Sequence, residues 1–91
     1  MKNYSVEITP KAEKLLDKLD NSVRTRMKKW IGENLEGCEN PRLHGKALQG
    51  NLSGNWRYRV GDYRIIAKIE DDKILITVVD INHRRQIYKS N

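Results

Sequence analysis

Residues 56–64 read WRYRVGDYR and set Arg57, Arg59 and Arg64 close together. The end of the chain adds His83, Arg84, Arg85 and Tyr88. Arginine grips phosphate through a planar fork that donates two parallel hydrogen bonds. Histidine exchanges a proton near neutral pH, and cationic neighbours and a bound phosphate pull its pKa in opposite directions. Tyrosine donates a hydrogen bond to phosphate or stacks on a base. As an alternative, Tyr88 is an aromatic anchor for the tail. Such a set can cleave RNA without a metal. The RNA supplies its own nucleophile, the 2′-OH. The reaction needs a base for that proton, cations for the charge on phosphorus, and an acid for the departing 5′-oxygen. Arg59 and Arg64 suit the charge-stabilising role, and His83 the acid or base. No acidic cluster for Mg²⁺ is apparent beside these residues, which argues against a two-metal nuclease.

The elements that must position this set are strands. Residues 56–60 and 63–70 are joined by Gly61-Asp62, a two-residue hairpin signal. Pairing Val60 with Tyr63 puts Arg59 opposite Arg64, and Arg57 opposite Ile66, on one face. The other face receives Trp56, Tyr58, Val60, Tyr63, Ile65 and Ala67 as a core. Like charges directly opposite each other destabilise a sheet by roughly 0.2–1 kcal/mol. Few carboxylates lie nearby to offset this, so the face suits an anionic ligand. A solvated strand with splayed arginines is the plainer reading. A second turn at Asp71-Asp72 leads into strand 73–81. It pairs Glu70 with Lys73, sends Ile74, Ile76 and Val78 to the core, and leaves Leu75, Thr77, Val79 and Ile81 on the open face. Arg64 then sits beside Val79, and His83 falls near Arg64 if no bulge intervenes.

Upstream, residues 3–8 alternate in polarity and form a short strand with Tyr4, Val6 and Ile8 on one face. Thr9 caps a helix that begins at Pro10 and buries Ala12, Leu15, Leu16 and Leu19. Asp20-Asn21-Ser22 starts a second helix. It runs to about Glu36, with Val23, Met27, Trp30, Ile31 and Leu35 on one side and Gly37 as its stop. Its Arg24, Arg26, Lys28 and Lys29 read as a solvated face. Residues 37–55 form a loop tethered by Leu43, Leu48 and Leu52. The order β-α-α-β-β-β predicts an α+β fold: a mostly antiparallel four-stranded sheet with a helical hairpin on one face.

The bulk numbers set the frame. The 91 residues make one domain, 1–91. A single cysteine, Cys38, excludes an internal disulfide and, with two histidines, a cysteine-based zinc site. Cys38 reads as structural or incidental. No apolar run can span a membrane and the N-terminus lacks a signal-peptide pattern, so the expected location is the cytoplasm. The net charge is +6 and uneven. Residues 1–40 hold eight Lys/Arg and seven Asp/Glu, a net of +1, whereas residues 41–91 hold ten and five, a net of +5. This charge fits either a generic basic surface or a nucleic-acid face.

The stretch NLSGNWRYRVGDYRIIAKIEDDKILITVVDINHRRQIY resembles the RelE/ParE superfamily of toxins from type II toxin–antitoxin modules. The pattern L-x-G-x-x-x-x-x-W-R-x-R-x-G-x-Y-R, a hydrophobic strand and H-R-x-x-I-Y covers residues 48–88. The helical hairpin and first strand follow the same order. The resemblance implies a microbial-ribonuclease-like fold and, in its RelE branch, an endoribonuclease that cuts mRNA in the ribosomal A site. The implied products are a 2′,3′-cyclic phosphate and a 5′-OH, with no cofactor or metal. Its basic cluster maps onto Arg57, Arg59 and Arg64, with His83 or Arg84 and Tyr88; Lys46, Arg57, Arg84 and Arg85 are the RNA-binding set. The implied partners are a cognate antitoxin, mRNA on a 70S-type ribosome, and operator DNA reached only through the toxin–antitoxin complex.

Two departures bear on mechanism. Some relatives carry lysines where this chain has Arg57 and Arg59, and arginine does not act as a base. Another branch has a carboxylate where this chain has Lys46. The base is left open among His83, Tyr88 and Lys46. The same fold also fits a ParE-type toxin that inhibits DNA gyrase by protein–protein contact, or a nucleic-acid-binding remnant without toxicity.

Overall fold

The computed structural model describes residues 3–48 and 54–83. Strand β1 (Ser5–Ile8) leads into helix α1 (Pro10–Asp17) and helix α2 (Asn21–Asn34). Strands β2 (Lys46–Ala47), β3 (Asn55–Val60), β4 (Tyr63–Glu70) and β5 (Leu75–His83) follow. They form one five-stranded sheet in the order β1-β5-β4-β3-β2. The β1–β5 pair is parallel and the remaining pairs are antiparallel. The predicted α+β architecture stands, with one added strand. Strand β2 lies inside the 37–55 segment, read from sequence as loop. It is two residues long and exposed, too short to show an alternating pattern.

The helices begin as their caps dictate. The Thr9 side chain accepts a hydrogen bond from the Ala12 amide at 3.2 Å, and Pro10 fills the first helical position, where its missing N–H costs nothing. Helix α2 begins instead on main-chain contacts, the Arg24 N–H donating to the Asp20 carbonyl. Gly37, at φ 77, carries the chain past its end. Both helices lay their apolar side on one face of the sheet. Ala12 and Leu16 of α1, and Met27 and Ile31 of α2, pack with Leu35, Tyr58, Val60, Ile65, Ala67, Ile76, Val78 and Ile81. Full burial of one such aliphatic side chain stabilises by roughly 1.5–3 kcal/mol.

The first hairpin has the predicted register: Val60 faces Tyr63, Arg59 faces Arg64 and Arg57 faces Ile66. A glycine at positive φ, Gly61 at 61°, suits its two-residue turn. The second hairpin differs. The turn is four residues long, Asp71 to Ile74, so Glu70 pairs with Leu75 rather than Lys73. Ile74 sits within it at φ 51 and packs against the core from there. A β-bulge follows: Ala67 pairs with Val78, but Ile66 pairs with Asp80, leaving Val79 as the extra residue. The longer turn moves the register by two and the bulge by one. Arg64 therefore faces Asn82, not Val79. Ile81, expected on the open face, faces Ile65 and is 5% exposed in the core.

The tether of the 37–48 segment also differs. Leu43 is 73% exposed. Pro41 is buried instead, and its carbonyl accepts from the Tyr58 hydroxyl at 2.6 Å. Leu52 lies outside the described residues. Among the described residues no helix is long and apolar enough to cross a membrane.

Candidate functional site

The sheet face away from the helices carries two rows of side chains at its Gly61-Asp62 end. One runs Lys46, Arg57, Ile66, Asp80 across β2 to β5. The other runs Arg59, Arg64, Asn82 across β3 to β5. The register thus brings Arg57, Arg59 and Arg64 onto one face, as the sequence predicts, and the unpredicted strand β2 adds Lys46. Arg59 is exposed, Arg57 half-buried and Arg64 7% exposed. The Nε atoms of Arg57 and Arg64 are shut off from solvent. A carboxylate also shares the face. Asp80 accepts from the Asn82 side chain at 3.5 Å and has the Lys11 ammonium 3.8 Å away. Only the bulge brings Asp80 opposite Ile66.

His83 is not on this face. It pairs with Tyr63, whose parity is that of the core, and the two rings meet edge to face with centroids 4.9 Å apart. The place beside Arg64 belongs to Asn82, an amide that can hydrogen-bond but does not exchange protons near neutral pH. Arg84, Arg85 and Tyr88 lie outside the described residues.

An open cleft of about 480 Å³ lies along the β2–β3 side of the sheet. Trp30, Leu43, His44, Gly45, Lys46, Arg57 and Arg59 line it. The cleft joins the arginine face to the α2 side of the molecule. Its charged lining residues are all cationic, so it suits an anionic ligand. The loop that forms its outer wall is pinned at several points. The Trp56 indole donates to the His44 carbonyl at 2.6 Å. Gly45, at φ 79, lets the main chain lie against β3, where a β-carbon would collide with the Arg57 carbonyl oxygen. The Arg42 guanidinium lies 3.0 Å from Asp71 Oδ1, which also accepts from the Tyr4 hydroxyl at 2.7 Å. That carboxylate bond raises the Tyr4 pKa. Burial raises the Tyr58 pKa well above the usual phenol value. It also raises that of Cys38, which favours the inert thiol over the thiolate.

Among the lining residues that sequence reasoning does not assign to the site are Trp30 and His44. The helical spacing places Trp30 on the apolar side of α2. It does pack on Tyr58, with ring centroids 5.5 Å apart, but it also reaches the cleft and meets His44 edge-on at 6.0 Å. His44 sits in a patternless loop. Its one signal was position, two residues before Lys46 in the basic half of the chain.

A short sheet with a helical hairpin on one face and cations on the other defines a small α+β protein built around a basic cleft. Comparison places it further. Residues 6–88 match the family described as the ParE toxin of the type II toxin–antitoxin system parDE, and the chain belongs to that family, within the RelE/ParE toxins. It is 30% identical over 88 residues to the toxin RelE of Mycobacterium tuberculosis, covering 97% of this chain and 89% of that protein. It is 28% identical over 86 residues to the toxin RelG of the same organism, covering 94% and 97%. Its fold is similar to a chain in the M. tuberculosis RelBE2 toxin–antitoxin complex, with a TM-score of 0.80 at 27% identity over 92% of this chain and 94% of that one. The isolated E. coli RelE toxin gives a TM-score of 0.70 at 25% identity, covering 96% and 93%. The chain is therefore a RelE-like toxin of a type II toxin–antitoxin system.

Proposed function

We propose that this toxin is a ribosome-dependent endoribonuclease that cuts mRNA in the A site. The observation that carries this reading is the row in which Arg59 faces Arg64, with Arg57 and Lys46 beside it. Opposed cations weaken the sheet in the absence of an anion. A phosphodiester between them gains paired, charge-assisted hydrogen bonds, and these strengthen as charge builds on phosphorus. Attack by the 2′-OH needs no metal and leaves a 2′,3′-cyclic phosphate and a 5′-OH. The RelE and RelG relatives support this branch of the superfamily. A cognate antitoxin is the expected neutralising partner, since two similar structures, RelBE2 and E. coli RelBE, are toxin–antitoxin complexes. It would occupy the cation-rich face or its rim with acidic residues, and the pair would reach operator DNA mainly through the antitoxin. The cytoplasm, where mRNA is translated, is the matching location.

A second reading stays beside it: the matched family is named for ParE, and the sequence resemblance implies that a ParE-type toxin inhibits DNA gyrase by contact. One experiment separates them. Toxin is added to a translation reaction and the 5′ ends of the mRNA are mapped. New ends within codons, dependent on engaged ribosomes and lost with Arg64→Ala, are expected. Intact mRNA together with inhibited gyrase supercoiling would replace the nuclease reading with the gyrase one.

A further inference from the structure

The cleft holds cations that suit a phosphate, but none of them is suited to accepting a proton. Asp80, the carboxylate opposite Ile66 on the same face, does not line the cleft and is engaged by Lys11, Asn82 and the Ile81 N–H. Arginine stays protonated at any working pH. Asn82 occupies the place beside Arg64, and His83 faces Tyr63 on the opposite parity. Lys46 lies in the cleft, but an ammonium donates hydrogen bonds and has no acceptor site. The chain has two histidines, and the second, His44, lines the same cleft as Lys46, Arg57 and Arg59.

We propose that His44 is the proton acceptor of the cleavage step, an inference that rests on the mRNA-cleavage reading above. Its placement is built rather than incidental. The Trp56 indole holds the His44 carbonyl at 2.6 Å, and Gly45 seats the next residue against the Arg57 carbonyl. Trp30 meets the imidazole edge-on from α2, with centroids 6.0 Å apart. The charged groups lining the cleft with it are Lys46 from β2 and Arg57 and Arg59 from β3; α2 contributes Trp30 and no charge. His44 is itself exposed, so a large substrate can reach it.

With a phosphodiester against Arg57 and Arg59, the ribose 2′-OH gives its proton to the neutral His44 imidazole. The 2′-oxygen forms the new bond to phosphorus as the P–O5′ bond breaks. The departing 5′-oxygen takes a proton from water. The imidazolium returns its proton to the hydroxide so formed, and the imidazole is regenerated. Atoms and charge balance without a metal or redox partner.

The test is single-turnover cleavage of mRNA in programmed ribosomes by wild-type toxin and by the His44→Gln, His44→Ala, Lys46→Met and Arg64→Ala variants. His44→Gln should lower the rate about 100-fold or more. It should also flatten the rise of rate with pH, while ribosome binding stays unchanged. Added imidazole should restore part of the His44→Ala rate. If His44→Gln cleaves at the wild-type rate, or more slowly with the wild-type pH slope and no imidazole rescue, His44 is not the proton acceptor. The cleavage reading survives that result as long as wild type cleaves and Arg64→Ala does not. A Lys46→Met variant that alone removes the pH slope would move the role to Lys46. If wild type leaves ribosome-bound mRNA intact, the cleavage reading fails and this inference falls with it.

Discussion

The two hairpins of the sheet behave differently although both connect neighbouring antiparallel strands. In β3–β4 the glycine sits where positive φ is needed, the turn is two residues long, and every pairing follows from it. In β4–β5 the turn holds no glycine. It closes over four residues, with Ile74 taking the positive φ, and a bulge breaks the ladder further on. Local chemistry sets register only where the turn type is specified locally. Where it is not, packing sets it. Ile76, Val78 and Ile81 all reach the helix-covered core because the bulge absorbs one residue between Val78 and Ile81. The functional consequence is that Arg64 faces Asn82, that Asp80 comes opposite Ile66, and that His83, expected near Arg64, faces Tyr63 instead.

The largest effect that sharpens this comparison is catalytic. Both Arg59 and Arg64 belong to the well-specified hairpin, one exposed and one buried. Under the cleavage reading Arg64→Ala should cost about 10²–10³ in cleavage rate and also lower the unfolding midpoint. Arg59→Ala should cost activity alone. Ribosomal cleavage measured beside denaturant unfolding would show the split, and equal stability losses would erase the distinction.

Next comes the bulge. Ile81→Ala should destabilise by about 2–5 kcal/mol, as expected for a core isoleucine, and Val79→Ala by under about 1.5 kcal/mol. Urea unfolding of both would test the register directly. Comparable losses would put both residues back on one face, as the two-residue turn predicted.

Tyr58 carries a smaller effect. Its hydroxyl donates to the Pro41 carbonyl and holds the cleft loop against β3. Tyr58→Phe should cost about 1–3 kcal/mol by leaving that carbonyl unsatisfied. The sign of the pH effect follows from the raised pKa. The folded state binds the phenol proton more tightly than the unfolded state does. Wild-type stability gains this contribution in full below the ordinary phenol pKa of about 10, and loses it as pH rises above that value. Tyr58→Phe should show a shallower alkaline decline, measured as unfolding midpoints between about pH 8 and 11.

The smallest predicted change concerns the turns themselves. Gly61→Ala should destabilise by about 1–2 kcal/mol, because the backbone is left-handed there and a β-carbon would lie 3.0 Å from the Arg26 guanidinium. Ile74→Gly relieves strain of the same kind but removes a side chain packed on the core, so its net effect should stay within about 1 kcal/mol. Thermal melts of the pair would rank them. A larger loss at Ile74 would mean that packing outweighs the relieved strain.

Much of the molecule was legible in its residues. Thr9-Pro10 started α1, the helical spacing of Met27, Ile31 and Leu35 named the buried side of α2, and Gly61-Asp62 put Arg59 opposite Arg64. Each signal acts within a few residues, which is the range over which dihedral preference and periodicity operate. The tertiary structure decided the rest. The two-residue strand β2 exists because β3 offers it an edge. The cleft loop is held by Tyr58, Trp56 and Asp71, all distant in sequence. His44 entered the cleft, and His83 left the arginine face, through contacts and register that close over many residues. Such placements depend on which buried surfaces fit together, and no local pattern encodes that.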